Sequence, residues 1–314
     1  MKIVFVGPGI IDIPPIGTGA VESLIYDYYQ ILTKLGHEVH IVNTPNKDEI
    51  IYRVNELKAD IVQLEYDCFV DLLPYFNCRK AVISSHYPYI DQFEKHAQDG
   101  YGILFRKMIE GCEQFPIFAI SEKDRNAFIN WGANPNYVFL RPNGANASNY
   151  RFAETPKWPD KSITLAQVTP RKRQWLTYKI PSVYYWGKGP FNHPNYEGEV
   201  HSSYKYENLT NFANMVLCTE GENGTPLCIK EALMCGLGIV VSEHAASELP
   251  WDLPFIDILP EAELHDAKHL EQVIIKNRSK SLQHRKEIRE FALANWDWQL
   301  LVTKYAQNLE SLLK

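Results

Sequence analysis

Glu220-Gly221-Glu222-Asn223-Gly224-Thr225-Pro226-Leu227-Cys228-Ile229-Lys230-Glu231-Ala232-Leu233-Met234-Cys235-Gly236-Leu237-Gly238-Ile239-Val240-Val241-Ser242 runs from an acidic, glycine-rich loop into a helix and then a strand. The apolar spacing predicts a helix over Cys228–Cys235 and a buried strand over Gly238–Ser242. A further strand, Met215–Thr219, leads into the loop. Strand, loop, helix and strand form one βαβ step, which requires a parallel sheet. The alternation extends upstream through strands Ser162–Val168 and Ser182–Gly187, with helices near Arg171–Lys179 and over Glu207–Ala213. Downstream the chain reads as helical from about Glu261 to Lys314.

The first half repeats the pattern. Lys2–Gly7, His37–Asn43, Asp60–Tyr66, Ala81–His86, Pro116–Ser121 and Tyr137–Pro142 read as strands. Ala20–Leu35 carries a helical apolar period and stops at Gly36, which suits the left-handed position after a helix. Asp48–Lys58 is a second helix, and Ser121 caps a third that runs through Trp131 to Gly132. Residues 153–161 hold Pro156, Pro159 and several charges with little apolar content, and read as a linker. The expected organisation is therefore a domain at 1–152, a linker at 153–161, a second domain at 162–295 and a terminal helix at 296–314. The fold class is α/β: two doubly wound domains facing across a cleft, with ligands expected at the carboxyl ends of the strands.

Composition excludes several functions. Of 314 residues, 45% are hydrophobic and 22% charged, which suits a folded globular chain and not a disordered one. The net charge of -6 argues against a nucleic-acid partner, since the phosphate backbone selects basic surfaces. No apolar run approaches the ~18 residues of a membrane span. Lys2–Gly7 reads as a strand and not as a secretion signal, and the six cysteines form no C-x-x-C pair. Reduced core thiols and a cytoplasmic location are the expectation. The basic run Lys276–Arg289 reads as a solvated helix face, with peripheral membrane contact as the alternative.

Two glycine-rich loops invite a ligand. Gly7-Pro8-Gly9 follows the first strand, but the third glycine of a dinucleotide fingerprint would fall on Asp12. The second strand also ends in Asn43-Thr44, with no acid for a ribose. Ile16-Gly17-Thr18-Gly19-Ala20-Val21-Glu22 leads directly into a helix. Gly17 and Gly19 would let backbone approach an anion at the helix N-terminus, or would form a flexible cap; the residues themselves leave both readings open.

The Glu220–Ser242 stretch resembles the donor-site segment of glycosyltransferase family 4, retaining enzymes of the GT-B fold with two Rossmann-like domains. Other passages resemble that family in order along the chain. These are Gly36-His37-Glu38-Val39, Ala119-Ile120-Ser121-Glu122, Asn143-Gly144, Val168-Thr169-Pro170-Arg171-Lys172 and Trp296-Asp297-Trp298. The resemblance implies transfer of a sugar from a nucleotide-sugar donor, UDP- or GDP-linked, to a glycan, lipid or small-molecule acceptor. Retention of anomeric configuration and independence of metal or other cofactor are part of what it implies.

Such chemistry develops negative charge on a diphosphate leaving group, which cations and N–H dipoles stabilise. The resemblance assigns that task to Lys172, flanked by Arg171 and Arg173, and to the Gly17–Gly19 loop from the opposite domain. The backbone of Gly224, Thr225, Pro226 and Leu227 would approach the sugar and phosphates. Glu231 matches the second acid of the family's paired-glutamate motif and would accept hydrogen bonds from ribose hydroxyls. The first acid of that motif falls on Asn223, with Glu222 one residue earlier, so either would serve the sugar. Gln167 stands where the family has an arginine. His86, ending a strand, matches a histidine near the donor sugar. The alternatives are a relative that binds nucleotide or glycan with weak or no transfer, and one that hydrolyses or epimerises nucleotide sugars.

Overall fold

The structure is a computed structural model, and it describes residues 1–17, 19–87, 90–92, 101–222 and 224–314. The chain divides into two compact units. The first comprises Met1–Pro15, Gly19–Asn143 and Trp298–Lys314, and the second Ile16–Thr18 and Gly144–Asp297.

The first unit is built on a six-stranded parallel sheet of order β2-β1-β3-β4-β5-β6. Its strands are β1 (Lys2–Val6), β2 (Glu38–Val42), β3 (Ile61–Leu64), β4 (Lys80–Ser84), β5 (Ile117–Ala119) and β6 (Val138–Leu140). The central strands bury both faces, so they read as continuous apolar runs. Helices α1 (Ala20–Lys34), α2 (Lys47–Leu57), α3 (Tyr101–Cys112) and α4 (Glu122–Asn130) connect them. Ser121 caps α4, its hydroxyl accepting from the Asp124 amide at 3.1 Å. One stretch between β3 and β4, Asp67–Tyr75, winds as a 3-10 helix that the apolar pattern did not disclose.

The second unit carries another six-stranded parallel sheet, of order β12-β11-β10-β7-β8-β9. Its strands are β7 (Trp158–Leu165), β8 (Val183–Trp186), β9 (Tyr196–Gly198), β10 (Phe212–Leu217), β11 (Gly238–Ser242) and β12 (Ile256–Leu259). Its helices are α5 (Ser202–Asn208), α6 (Leu227–Met234), α7 (Ala267–Gln283) and α8 (Arg285–Trp296). The last helix, α9 (Trp298–Leu312), belongs to the first unit, where Tyr305 donates to Gln63 Oε1 at 2.7 Å and Trp298 packs edge-on against Tyr28.

Four expectations need correction. The helix expected over Glu207–Ala213 ends at Asn208 and is followed by a 3-10 turn, Leu209–Asn211, and by β10 from Phe212. The units divide at Asn143/Gly144 and Asp297/Trp298, and residues 158–161 of the supposed linker are the first turn of the pleat of β7. Trp158 survives there beside its prolines because it stacks on Phe212, with ring centroids 4.9 Å apart. The helix expected over Arg171–Lys179 is replaced by two 3-10 turns, Pro170–Lys172 and Gln174–Leu176. Arg173 between them adopts the left-handed conformation, at φ 49°, which no helix continues through. The segment 16–18, expected to serve from the first domain, groups with the second unit: Ile16 carbonyl accepts from the Ser202 amide at 3.3 Å.

Candidate functional site

In the second sheet the chain runs outward from β7 to β9, then returns to place β10 on the other side of β7. The loops leaving β7 and β10 therefore part at the carboxyl edge, the place where doubly wound sheets receive ligands. Thr169 opens the loop after β7, its hydroxyl accepting from the Lys172 amide at 3.4 Å. The loop after β10 is stitched to it, since the Glu220 amide donates to the Arg171 carbonyl at 3.0 Å.

That stitching brings the charges together. Arg171 Nη1 donates to the Gly221 carbonyl at 2.8 Å and to Glu222 Oε1 at 2.7 Å. Lys172 Nζ donates to the same Oε1. The Glu222 side chain is 10% exposed, Lys172 12% and Arg171 30%, so these charges are largely removed from water. Arg173 does not join them. Its buried guanidinium donates to the carbonyls of Cys218 (2.9 Å) and Thr219 (2.9 Å) and pairs with Glu261 at 2.6 Å. Its donors hold the loop after β10 in place and do not meet those of Arg171 and Lys172.

Helix α6 begins beside this pair. Gly224 and Thr225 are buried, Pro226 holds the N-cap position and Leu227 is the first helical residue. Glu248 fastens the turn: it accepts from the Thr225 amide at 3.0 Å and from Lys230 Nζ at 2.8 Å, and its own amide donates to Thr225 Oγ1 at 3.2 Å. Lys230 is wholly buried; burial draws its ammonium below the usual lysine range, against the pull of Glu248.

One turn along α6, Glu231 Oε1 accepts from Lys205 Nζ of α5 at 2.9 Å. Burial draws the Lys205 ammonium down, but the Glu231 carboxylate outweighs it and holds the lysine above its ordinary value. Burial, reinforced by Glu231, pushes the Tyr150 hydroxyl well above the usual tyrosine range. Burial also pushes the Cys228 thiol up to about 12, and Lys172, Glu231, Glu222 and Lys205 all act on it. The two ion pairs thus lie within electrostatic reach of one side chain and form a single charged cluster. Asn223 lies outside the described residues.

The Gly17 position is tight: a Cβ there would stand 2.6 Å from Glu199 Oε1. Gly19, in the first unit, immediately precedes α1, and a Cβ there would stand 2.9 Å from the Pro15 ring and 3.1 Å from Glu22 Oε2. At Gly19 the obstacle is the Pro15 ring, whereas at Gly17 it is the end of the flexible Glu199 side chain, which can turn aside.

In the first unit, His86 follows β4 and its Nε2 lies 3.0 Å from Glu65 Oε2 at the end of β3. Glu65 is buried and also accepts from Arg141 Nη1, at 2.8 and 3.0 Å. Burial raises the Glu65 carboxyl, but Arg141 and His86 outweigh it and leave it below the ordinary carboxylate range. Arg141 is itself sandwiched, its guanidinium 4.1 Å from the Tyr28 ring and 4.6 Å from that of Tyr305. Asp67 is a neighbour, Oδ2 accepting from Ser85 Oγ at 3.2 Å. Glu65, Arg141, Lys205 and Tyr150 were not singled out in the sequence. Glu65 and Arg141 had a signal, each standing next to last in a predicted strand.

Among the described residues no cluster of His, Cys, Asp and Glu could hold a metal ion, and no helix is long and apolar enough to cross a membrane. Two doubly wound parallel sheets, with the charged cluster at the switch point of the second, define a two-domain α/β protein of the GT-B fold. Solved structures of this fold match the chain over its whole length. Sucrose-phosphate synthase from Thermosynechococcus elongatus superposes with a TM-score of 0.76 at 13% identity, covering 99% of this chain and 98% of that one. HepE of Anabaena, in complex with UDP and glucose, gives 0.74 at 16% identity, covering 99% and 100%. AviGT4, a glycosyltransferase involved in avilamycin A biosynthesis, gives 0.69 at 14% identity, covering 99% and 98%. No protein-family model and no curated protein matches the sequence.

Proposed function

We propose that the chain is a glycosyltransferase that takes a sugar from a UDP- or GDP-linked donor and passes it to an acceptor hydroxyl with retention of configuration. The observation that carries this reading is the meeting of Arg171 and Lys172 at the switch point of the second sheet, where α6 also begins. Two cations and a helix N-terminus suit the charge that develops on a departing diphosphate. They supply it without a metal ion, which is why metal independence belongs to the proposal. Glu231 would take the ribose hydroxyls, sharing its carboxylate with Lys205. The UDP and glucose held by HepE, a neighbour in fold, support a nucleotide-sugar donor. The roles of His86 and of Glu222 or Asn223 toward the sugar rest on the family resemblance, as do the classes of acceptor (glycan, lipid or small molecule).

The test is a thermal-shift panel of UDP, GDP, ADP and CMP, with and without EDTA, on the wild type and Lys172→Ala. A ligand at 100 times its Kd adds about 2.7 kcal/mol of stability. The expected result is a shift with one nucleoside diphosphate that EDTA leaves unchanged and Lys172→Ala largely removes. A shift that survives Lys172→Ala would move the diphosphate elsewhere, and no shift with any nucleotide would overturn the donor reading.

A further inference from the structure

The two cations best placed for a diphosphate already have a partner. Both converge on a single carboxylate oxygen, Glu222 Oε1. A carboxylate so placed carries the charge that a phosphate oxygen would bring. We infer that Glu222 is an internal counter-anion for the diphosphate site: it occupies Arg171 and Lys172 until a diphosphate displaces it, and the displaced carboxylate then becomes available to the sugar side. This deepens the donor-site reading and rests on it for the identity of the nucleotide.

Three observations carry it. The cations approach one oxygen, so the site concentrates two positive charges where one negative charge sits. Arg171 is anchored independently, through its Nη1 to the Gly221 carbonyl and through its own carbonyl to the Glu220 amide, so the guanidinium stays at the site when Glu222 leaves. The loop beneath is fixed by Arg173, whose bonds to the carbonyls of Cys218 and Thr219 hold the end of β10. The Arg171 guanidinium and the loop that carries it are thus held in position by bonds that do not involve Glu222.

Competition has a definite sign. An acid that accepted hydrogen bonds from ribose or sugar hydroxyls would weaken nucleotide binding when neutralised. An acid that competes with the ligand would strengthen it, because the diphosphate would no longer displace a bound anion. Glu222→Gln keeps the shape and removes the charge. Binding of inorganic pyrophosphate and of UDP is measured by calorimetry on the wild type, Glu222→Gln, Glu222→Asp and Lys172→Ala. Pyrophosphate probes the cation pair alone, and UDP adds the nucleoside.

The expected result is about tenfold tighter pyrophosphate binding by Glu222→Gln, little change in Glu222→Asp and a loss of at least about tenfold in Lys172→Ala. Added salt should narrow the gap between Glu222→Gln and the wild type, as it screens the charges concerned. Unchanged or weaker pyrophosphate binding by Glu222→Gln would overturn the inference, even if UDP still bound. Tighter pyrophosphate binding with no UDP binding by any variant would leave the counter-anion standing and overturn the nucleotide reading. Should Glu222→Gln fail to fold, Glu222→Ala replaces it, with the same outcomes.

Discussion

Burial pushes the Asp67 carboxyl up to about 6 from an ordinary 3.8, and the His86 charge only partly restrains it. The folded chain therefore holds this proton more firmly than the unfolded chain does. For a raised acid the sign is unfavourable to folding at neutral pH. The cost is absent below the unfolded value, grows as the pH climbs from about 4 to about 6, and is full above that. Asp67→Asn should accordingly raise the urea midpoint at about pH 8 and raise it progressively less toward about pH 4.5. A gain that did not depend on pH would mean that the carboxyl titrates normally. The same residue marks what single positions disclosed in the sequence. Lys172 and Glu231 were singled out because the family resemblance matches them to motif positions. Lys205 was not, because its partner lies 26 residues away in sequence on a different element. Nor was the separate pairing of Arg173 legible, because only the carbonyls at the end of β10 reveal where its donors go.

At the scale of elements, the start of α6 depends on a buried pair. Lys230 is wholly enclosed, and Glu248 both neutralises it and accepts from the Thr225 amide. Glu248→Ala would strip the lysine of its counter-charge, at a cost of about 3 kcal/mol. The double change Lys230→Met with Glu248→Gln removes the charge and keeps an acceptor for Thr225. Most of the stability should return in urea denaturation, and a double variant as unstable as Glu248→Ala would show that geometry, not charge, is at stake. The elements legible in the sequence were those with strong period and clear stops, such as α1 ending at Gly36, which sits at φ 87°. Two strands escaped: β9 reads Tyr196-Glu197-Gly198 and β12 Ile256-Asp257-Ile258-Leu259, and neither is the continuous apolar run that marks a buried strand. The 3-10 turns around Arg173 escaped because a left-handed arginine leaves no mark in composition.

For the whole molecule, the order of the chain and the order of assembly differ. The first unit is completed by α9, which buries Trp298, Val302, Tyr305, Ala306 and Leu309 and supplies one ring of the Arg141 sandwich. Removing residues 298–314 should leave the second unit's calorimetric transition in place and lower or abolish that of the first. A single transition lost as one would show instead that the units melt together. The doubly wound halves were legible in sequence, since repeated βαβ steps account for all six strands of the first sheet and four of the six in the second, but the boundary at Asn143/Gly144 was not. A proline-rich stretch looked more like a joint than Asn143-Gly144 did, because the physical reason for the division lies in contacts and not in composition. One consequence concerns synthesis. As the polypeptide leaves the ribosome, the sheet that begins at Lys2 emerges first, yet Tyr28, Gln63 and Arg141 meet their last partner only when Tyr305 appears. Residues 144–297 can close while that earlier surface is still waiting, so the half that is translated first is finished last. The nascent chain must carry an uncovered aromatic face through most of its translation.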